Sequence, residues 1–177
     1  MKKEVYFLIL CIFFLCLENI FAKVYQTKEE ALKKTFPKSK IERKTLFLTD
    51  NDVKNIQNIS KTKVKSKLFT YYIVIDNEVA GINKYVVFES CISKTKPIIF
   101  MLVINFKGEI ELVEVLAFYE PEEHLPPKKW FELFRGKRLG DNLDLRKGID
   151  TISGATFTVE AITTQIKRIL ATFDLIV

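Results

Sequence analysis

Apolar positions along residues 159–173 recur at spacings of three and four: Val159, Ile162, Ile166, Ile169, Leu170 and Phe173. That is the period of one buried helix face. Upstream the pattern is that of strands. Residues 68–89 read as a β-hairpin, with the β-formers Tyr71, Tyr72, Ile73, Val74 and Ile75 going out. Asp76, Asn77 and Glu78 supply the turn, and residues 79–88 return. Residues 97–119 repeat the arrangement around a turn at Phe106, Lys107, Gly108 and Glu109. The unbroken run Ile98, Ile99, Phe100, Met101, Leu102, Val103 and Ile104 predicts a central strand covered on both faces. In the return arm Ile110, Leu112, Val113, Val115 and Leu116 sit among Glu109, Glu111 and Glu114, the partial alternation of a strand with one wet face.

Short helices are marked by their starts. Thr27 and Glu30 have the spacing of a capping box, and the helix they open should stop before Pro37. Thr49 to Asp52 is a similar start, with Val53, Ile56 and Ile59 at helical spacing behind it. Pro121, Pro126 and Pro127 stiffen the loop that carries Glu120, Glu122, Glu123 and His124. Residues 128–135, with Trp130, Phe131, Leu133 and Phe134, predict a short helix ending at Gly136. The expected fold class is α+β: an antiparallel sheet built from two hairpins, short N-terminal helices and a C-terminal helix.

Residues 1–22 read as a signal peptide. Lys2 and Lys3 precede an apolar run of 13 residues, too short to span a bilayer comfortably, and cleavage is expected after Ala22, with an uncleaved anchor as the minority reading. Cys11 and Cys16 raise lipidation as a minority reading, but each follows a Leu where a lipobox has Gly or Ala. Residues 23–177 then form a single domain, exported to the periplasm or another extracytoplasmic space. Cys91 is the one cysteine of that domain, so a core or a cofactor must hold it rather than a disulfide.

The chain has 28 Lys and Arg against 22 Asp and Glu, a net charge of +6. The leader contributes as many acids as bases. Lysines concentrate between Lys28 and Lys67, either as a face for anionic lipid or an acidic partner, or as plain solvation. No basic–aromatic recognition motif supports nucleic acid as a partner.

Candidate chemistry sits just before the C-terminal helix. Asp150, Thr151, Ile152, Ser153, Gly154, Ala155, Thr156, Phe157 and Thr158 form a small, hydroxyl-rich segment. Thr158 or Thr156 can cap the helix. Gly154 permits positive φ or close approach of another group. Such a turn is either an ordinary capped turn or an anion site, where N–H groups and the helix dipole meet incoming negative charge. No neighbouring base activates Thr156 as a nucleophile: His124, the sole histidine, lies 32 positions earlier. No catalytic residue is assigned. One histidine among loop acids does not make a metal site. Trp130 fits either a flavin-stacking or a core role.

The pattern Asp150-x-x-Ser153-Gly154-Ala155-Thr156 resembles the flavinylation motif of the FMN-binding domain family. That family includes flavin-bearing components of the sodium-pumping NADH:quinone reductase and of the Rnf complex, together with small stand-alone extracytoplasmic flavoproteins. The resemblance implies FMN as cofactor, held through a phosphoester on Thr156. It further implies a separate, magnesium-dependent FAD:protein FMN transferase that recognises Asp150, Ser153, Gly154 and Ala155. Glu120-Pro121, Trp130, Phe134 and Gly136-Lys137 are similar to positions of the stand-alone members. The Glu-Thr-Pro-Gly-Leu-Gly loop of the pump components is missing, which argues against membership of either pump.

The cofactor-binding set is therefore Thr156, Asp150, Ser153, Gly154, Ala155, Thr158, Glu120 and Trp130, with Arg146 or Lys147 as charge partners for the flavin. The expected function is extracytoplasmic electron transfer with membrane or soluble redox partners, and with membrane association as a further expectation. An alternative is an FMN-dependent reductase of a small substrate, in which His124 and Glu120 would be the acid–base pair. Another is a non-redox secreted binding module whose turn merely caps a helix.

Overall fold

The computed structural model describes residues 23–75 and 83–176. The expected signal segment and the turn at Asp76, Asn77 and Glu78 lie outside the described residues. Helix α1 (Lys28–Thr35) and helix α2 (Asp50–Ser60) both begin with complete capping boxes. Thr27 Oγ1 accepts from Glu30 N while the Glu30 carboxylate accepts from Thr27 N at 2.7 Å, and Thr49 and Asp52 make the same exchange. Each box meets two first-turn donors that the helix itself leaves open.

The sheet has six antiparallel strands. They are β1 (Lys23–Val24), β2 (Lys40–Phe47), β3 (Leu68–Ile75), β4 (Asn83–Ile92), β5 (Pro97–Asn105) and β6 (Ile110–Phe118), in the order β1-β6-β5-β4-β3-β2. The two expected hairpins are its four middle strands, and Gly108 takes φ +78° in the second turn. The sequence reading missed both edges. β2 reads Lys-Ile-Glu-Arg-Lys-Thr-Leu-Phe and is mostly exposed, so neither alternation nor apolar content marks it. Its strand state comes from pairing with β3 along its whole length, from Lys40 opposite Ile75 to Phe47 opposite Leu68. Tertiary pairing overrides weak β-propensity here.

β5 is central and buried on both faces. On one face Ile98, Phe100, Leu102 and Ile104 meet helix α4 (Thr156–Phe173) through Val159, Ile162, Ile166, Ile169, Leu170 and Phe173. Each such side chain contributes about 1.5–3 kcal/mol when fully buried. On the other face Met101 and Val103 join Val74, Val86 and Leu116 over Ala31 of α1. A third cluster, Leu48, Ile56 and Ala171, packs α2 against α4. No helix among the described residues is long and apolar enough to cross a membrane.

After β6 the chain forms a 3-10 turn (Glu122–His124), helix α3 (Lys128–Phe131) and a second 3-10 turn (Glu132–Phe134). The expected helix over residues 128–135 is thus shorter and split, with Gly136 at φ +76° after it. Cys91 is buried, and burial first, then Glu89, pushes its thiol up to about 12. It stays protonated at neutral pH and is no nucleophile.

Candidate functional site

Helix α4 starts three residues earlier than its apolar period shows, because Thr156 and Thr158 are already helical. The capping expectation is corrected accordingly. The N-cap is Ala155, at φ −116° and ψ 17°, and no side chain caps the helix. Neither Thr156 nor Thr158 occupies the position from which a hydroxyl can reach the first-turn N–H groups. The backbone N–H of Val159 bonds to Ala155 O at 2.9 Å, whereas those of Thr156, Phe157 and Thr158 find no acceptor among the described residues.

The preceding turn delivers Thr156 to the surface. Gly154 takes φ +82°, which an L side chain adopts only with strain. Ala155 is buried in the main core, so it anchors the turn from below. Ser153, Gly154, Thr156 and Phe157 are exposed. Thr156 Oγ1 makes only a long 3.4 Å bond to Ile152 O, so its hydroxyl is accessible.

The loop of residues 119–127 and the residues around it hold this turn at three points. Trp130 Nε1 donates to Asp150 O at 2.7 Å. His124 Nδ1 lies 2.8 Å from Gly154 O; a carbonyl only accepts, so Nδ1 carries the proton. Thr158, buried, donates its hydroxyl to His124 O at 2.8 Å. Its single proton is then committed, so the Ser93 hydroxyl, 2.6 Å away, is the donor to Thr158 Oγ1.

Of the sequence candidates, Asp150, Ser153, Gly154, Ala155, Thr156 and Thr158 come together here, with Trp130 beneath them. Trp130 has the core role of the two that the sequence left open. It is 3% exposed and forms T-shaped pairs with Phe131 and Phe134, each with ring centroids 5.1 Å apart, and this burial leaves no face open to a stacked ring. Glu120 is engaged elsewhere: its Oε1 accepts from Thr95 N, Lys96 N and Thr95 Oγ1 at 2.7–2.9 Å, tying the β4–β5 turn to the loop. Burial works to raise its pKa, but these bonds outweigh it and hold the carboxyl below the usual range. Arg146 and Lys147 are exposed and make no hydrogen bond or ion pair with residues 150–158.

Sequence reasoning left His124 unplaced and passed over Ser93. Being the sole histidine was the only signal for the first, and nothing in the local pattern marked the second. Among the described residues no group of three or more His, Cys, Asp or Glu could hold a metal ion.

Residues 94–171 match the family model described as FMN-binding domain, which takes in β5, β6, the loop, α3, the motif and most of α4. Over this segment, less than half of the chain, the protein is similar to the FMN-binding domain family, and the match supports FMN as its cofactor. No curated protein and no solved structure matches it. The residues present fit such a cofactor: an exposed hydroxyl begins a helix whose first N–H groups are open, where a phosphate would gain hydrogen bonds and a favourable dipole.

Proposed function

We propose that this chain is an exported electron-transfer flavoprotein with FMN attached to Thr156 through a phosphoester. The observation that carries the reading is the accessible Thr156 hydroxyl at the first turn of an uncapped helix, inside the family-matching segment. Nothing among the bonds around Thr156 Oγ1 offers a base, so another enzyme must supply the attachment chemistry. An FAD:protein FMN transferase does so as the Thr156 O–P bond forms and the pyrophosphate bond of FAD breaks. AMP leaves and the hydroxyl proton passes to the transferase or to water. Asp150, Ser153, Gly154 and Ala155 present the hydroxyl, and Trp130, His124 and Thr158 keep the turn rigid. A bound flavin supplies the redox chemistry, and the protein's part is to hold it and expose an edge to partners.

Export rests on the basic, then apolar, then small-residue pattern of residues 1–22. Covalent attachment suits that location, since a dissociating cofactor would be lost by dilution. The reductase alternative gains little support, because Glu120, one half of its acid–base pair, is already occupied by Thr95 and Lys96.

The test is intact mass under denaturing conditions, on protein made with the transferase. A gain equal to FMN less one water, mapped to the Thr156 peptide, is expected. An unmodified chain, in a host that flavinylates a control protein, overturns covalent attachment and favours the non-redox binding module.

A further inference from the structure

The lysines of the N-terminal half acquire a regular geometry between α2 and β3. Residues 61–67 read Lys-Thr-Lys-Val-Lys-Ser-Lys, and Lys61, Lys63, Lys65 and Lys67 are all exposed while Thr62 and Val64 turn partly inward. Val64 packs on the third cluster, and its N–H donates to Gln57 Oε1 at 3.0 Å, which fixes the segment against α2. The result is a comb of four exposed lysines, one at every second position of the sequence. Lys67 pairs with Asp50 at 2.7 Å, whereas Lys61, Lys63 and Lys65 form no ion pair among the described residues.

Leu68 lines one cleft with Lys63 and Lys65, and the fold leaves it and its cross-strand partner Phe47 uncovered. Phe47 is 73% exposed and Leu68 55%, and they stand opposite each other where β2 meets β3. Ile41 and Tyr72, on the same sheet face, pack beside Ala31 of α1, but the Phe47–Leu68 end of that face is bare. Arg43, also exposed, projects from the same face of β2. Residues 40–67 carry eight Lys and Arg against three Asp and Glu.

We propose that this surface docks on an anionic lipid bilayer, with the lysine comb at the headgroups and Phe47 and Leu68 entering the interface. Flexible lysines of one sign attract a diffuse negative surface without a fixed geometry. Paired exposed apolar side chains beside them add the burial that an interfacial contact requires. An acidic protein partner would use the charges and leave the two apolar side chains unexplained. The comb meets α4 at Gln165 and Arg168, which line one cleft of about 360 Å³ with Lys63 and Lys65. Gln165 lies nine residues beyond Thr156, about 14 Å along the helix axis. The inference does not depend on the flavin assignment.

The test is sedimentation of the full chain with phosphatidylcholine vesicles, with and without phosphatidylglycerol. Any contribution from residues 1–22 is common to all variants. Tighter binding to the anionic vesicles is expected. The triple variant Lys61→Gln, Lys63→Gln, Lys65→Gln should weaken it on the order of a hundredfold, at about fivefold per lysine. Raising salt should release the unsubstituted chain in the same way, a check that needs no variant. Phe47→Ser with Leu68→Ser should weaken what binding persists at high salt. Equal affinity for both vesicle types, or no loss in the triple variant, overturns the proposal. So does lysine-dependent binding to poly-glutamate as tight as to anionic vesicles, with no effect of Phe47→Ser and Leu68→Ser; the surface would then be one for acidic protein.

Discussion

Helices α1 and α2 begin in one way and helix α4 in another. The first two close their own ends: a threonine and an acid exchange hydrogen bonds with the backbone, and the third N–H of each helix is met by the threonine hydroxyl. The third begins at a buried alanine, with Ser153, Thr156 and Thr158 close by and none of them capping it. Hydroxyls are thus present at α4 and are used differently. Thr158 is drawn inward to His124 and Ser93, and Thr156 is left facing solvent. A helix that serves only as structure gains about 1 kcal/mol from a side-chain cap. One that forgoes it keeps its donors open for a charge brought from outside. The same contrast bears on packing, since α4 is held by its long apolar face and tolerates an uncapped end that an eight-residue helix such as α1 tolerates less well.

The largest effect should come from Thr156→Val. Denatured protein made with the transferase should carry no flavin, while the melting temperature of the unmodified chain barely moves because Thr156 is exposed. Flavin retained at unit stoichiometry would break the comparison outright. Next comes Trp130→Phe, which removes the donor to Asp150 O and part of a buried ring; a loss of about 1–3 kcal/mol in denaturant unfolding is expected. Slower flavinylation should accompany it, because the turn loses one of its three ties. Gly154→Ala should cost about 1–2 kcal/mol from its φ of +82° alone, since the nearest atom to an added Cβ, Glu123 O, is 3.8 Å away. If calorimetry shows no change, the turn is free to relax and the argument for a fixed acceptor weakens.

Thr49→Ala should cost about 1 kcal/mol, the value of an ordinary cap. The matching experiment at α4 is to compare the flavinylated chain with the Thr156→Val chain at low and high salt. The phosphate charge should stabilise the former by about 0.3–1 kcal/mol, and that part should fade as salt rises.

The smallest and most specific signal is pH dependence. The Glu120 carboxyl is held below its ordinary value in the fold, so its contribution is complete above the usual carboxylate range, near 4.3, and is lost as pH falls through the lowered folded value. Glu120→Gln should destabilise the protein at neutral pH and flatten the acid limb of the stability curve below about pH 4. An unchanged acid limb would mean that the Thr95 and Lys96 bonds do not hold the carboxylate.

By itself the sequence determined the elements whose cause is local. Both capping boxes were legible because their partners are three residues apart, the β5–β6 hairpin because its turn and flanking runs are contiguous, and the α4 face because periodicity is a property of the segment alone. The motif at residues 150–156 was legible through its resemblance to a family, and the family match covers it. Only the tertiary structure decided the rest. β2 is a strand because β3 pairs with it, Trp130 is core because Phe131 and Phe134 flank it, and His124 reaches Gly154 because the loop folds back on the motif. The physical reason is common to all three. A contact between residues far apart in sequence becomes favourable only once the sheet and α4 have brought their backbones together, and no pattern within one segment carries that information.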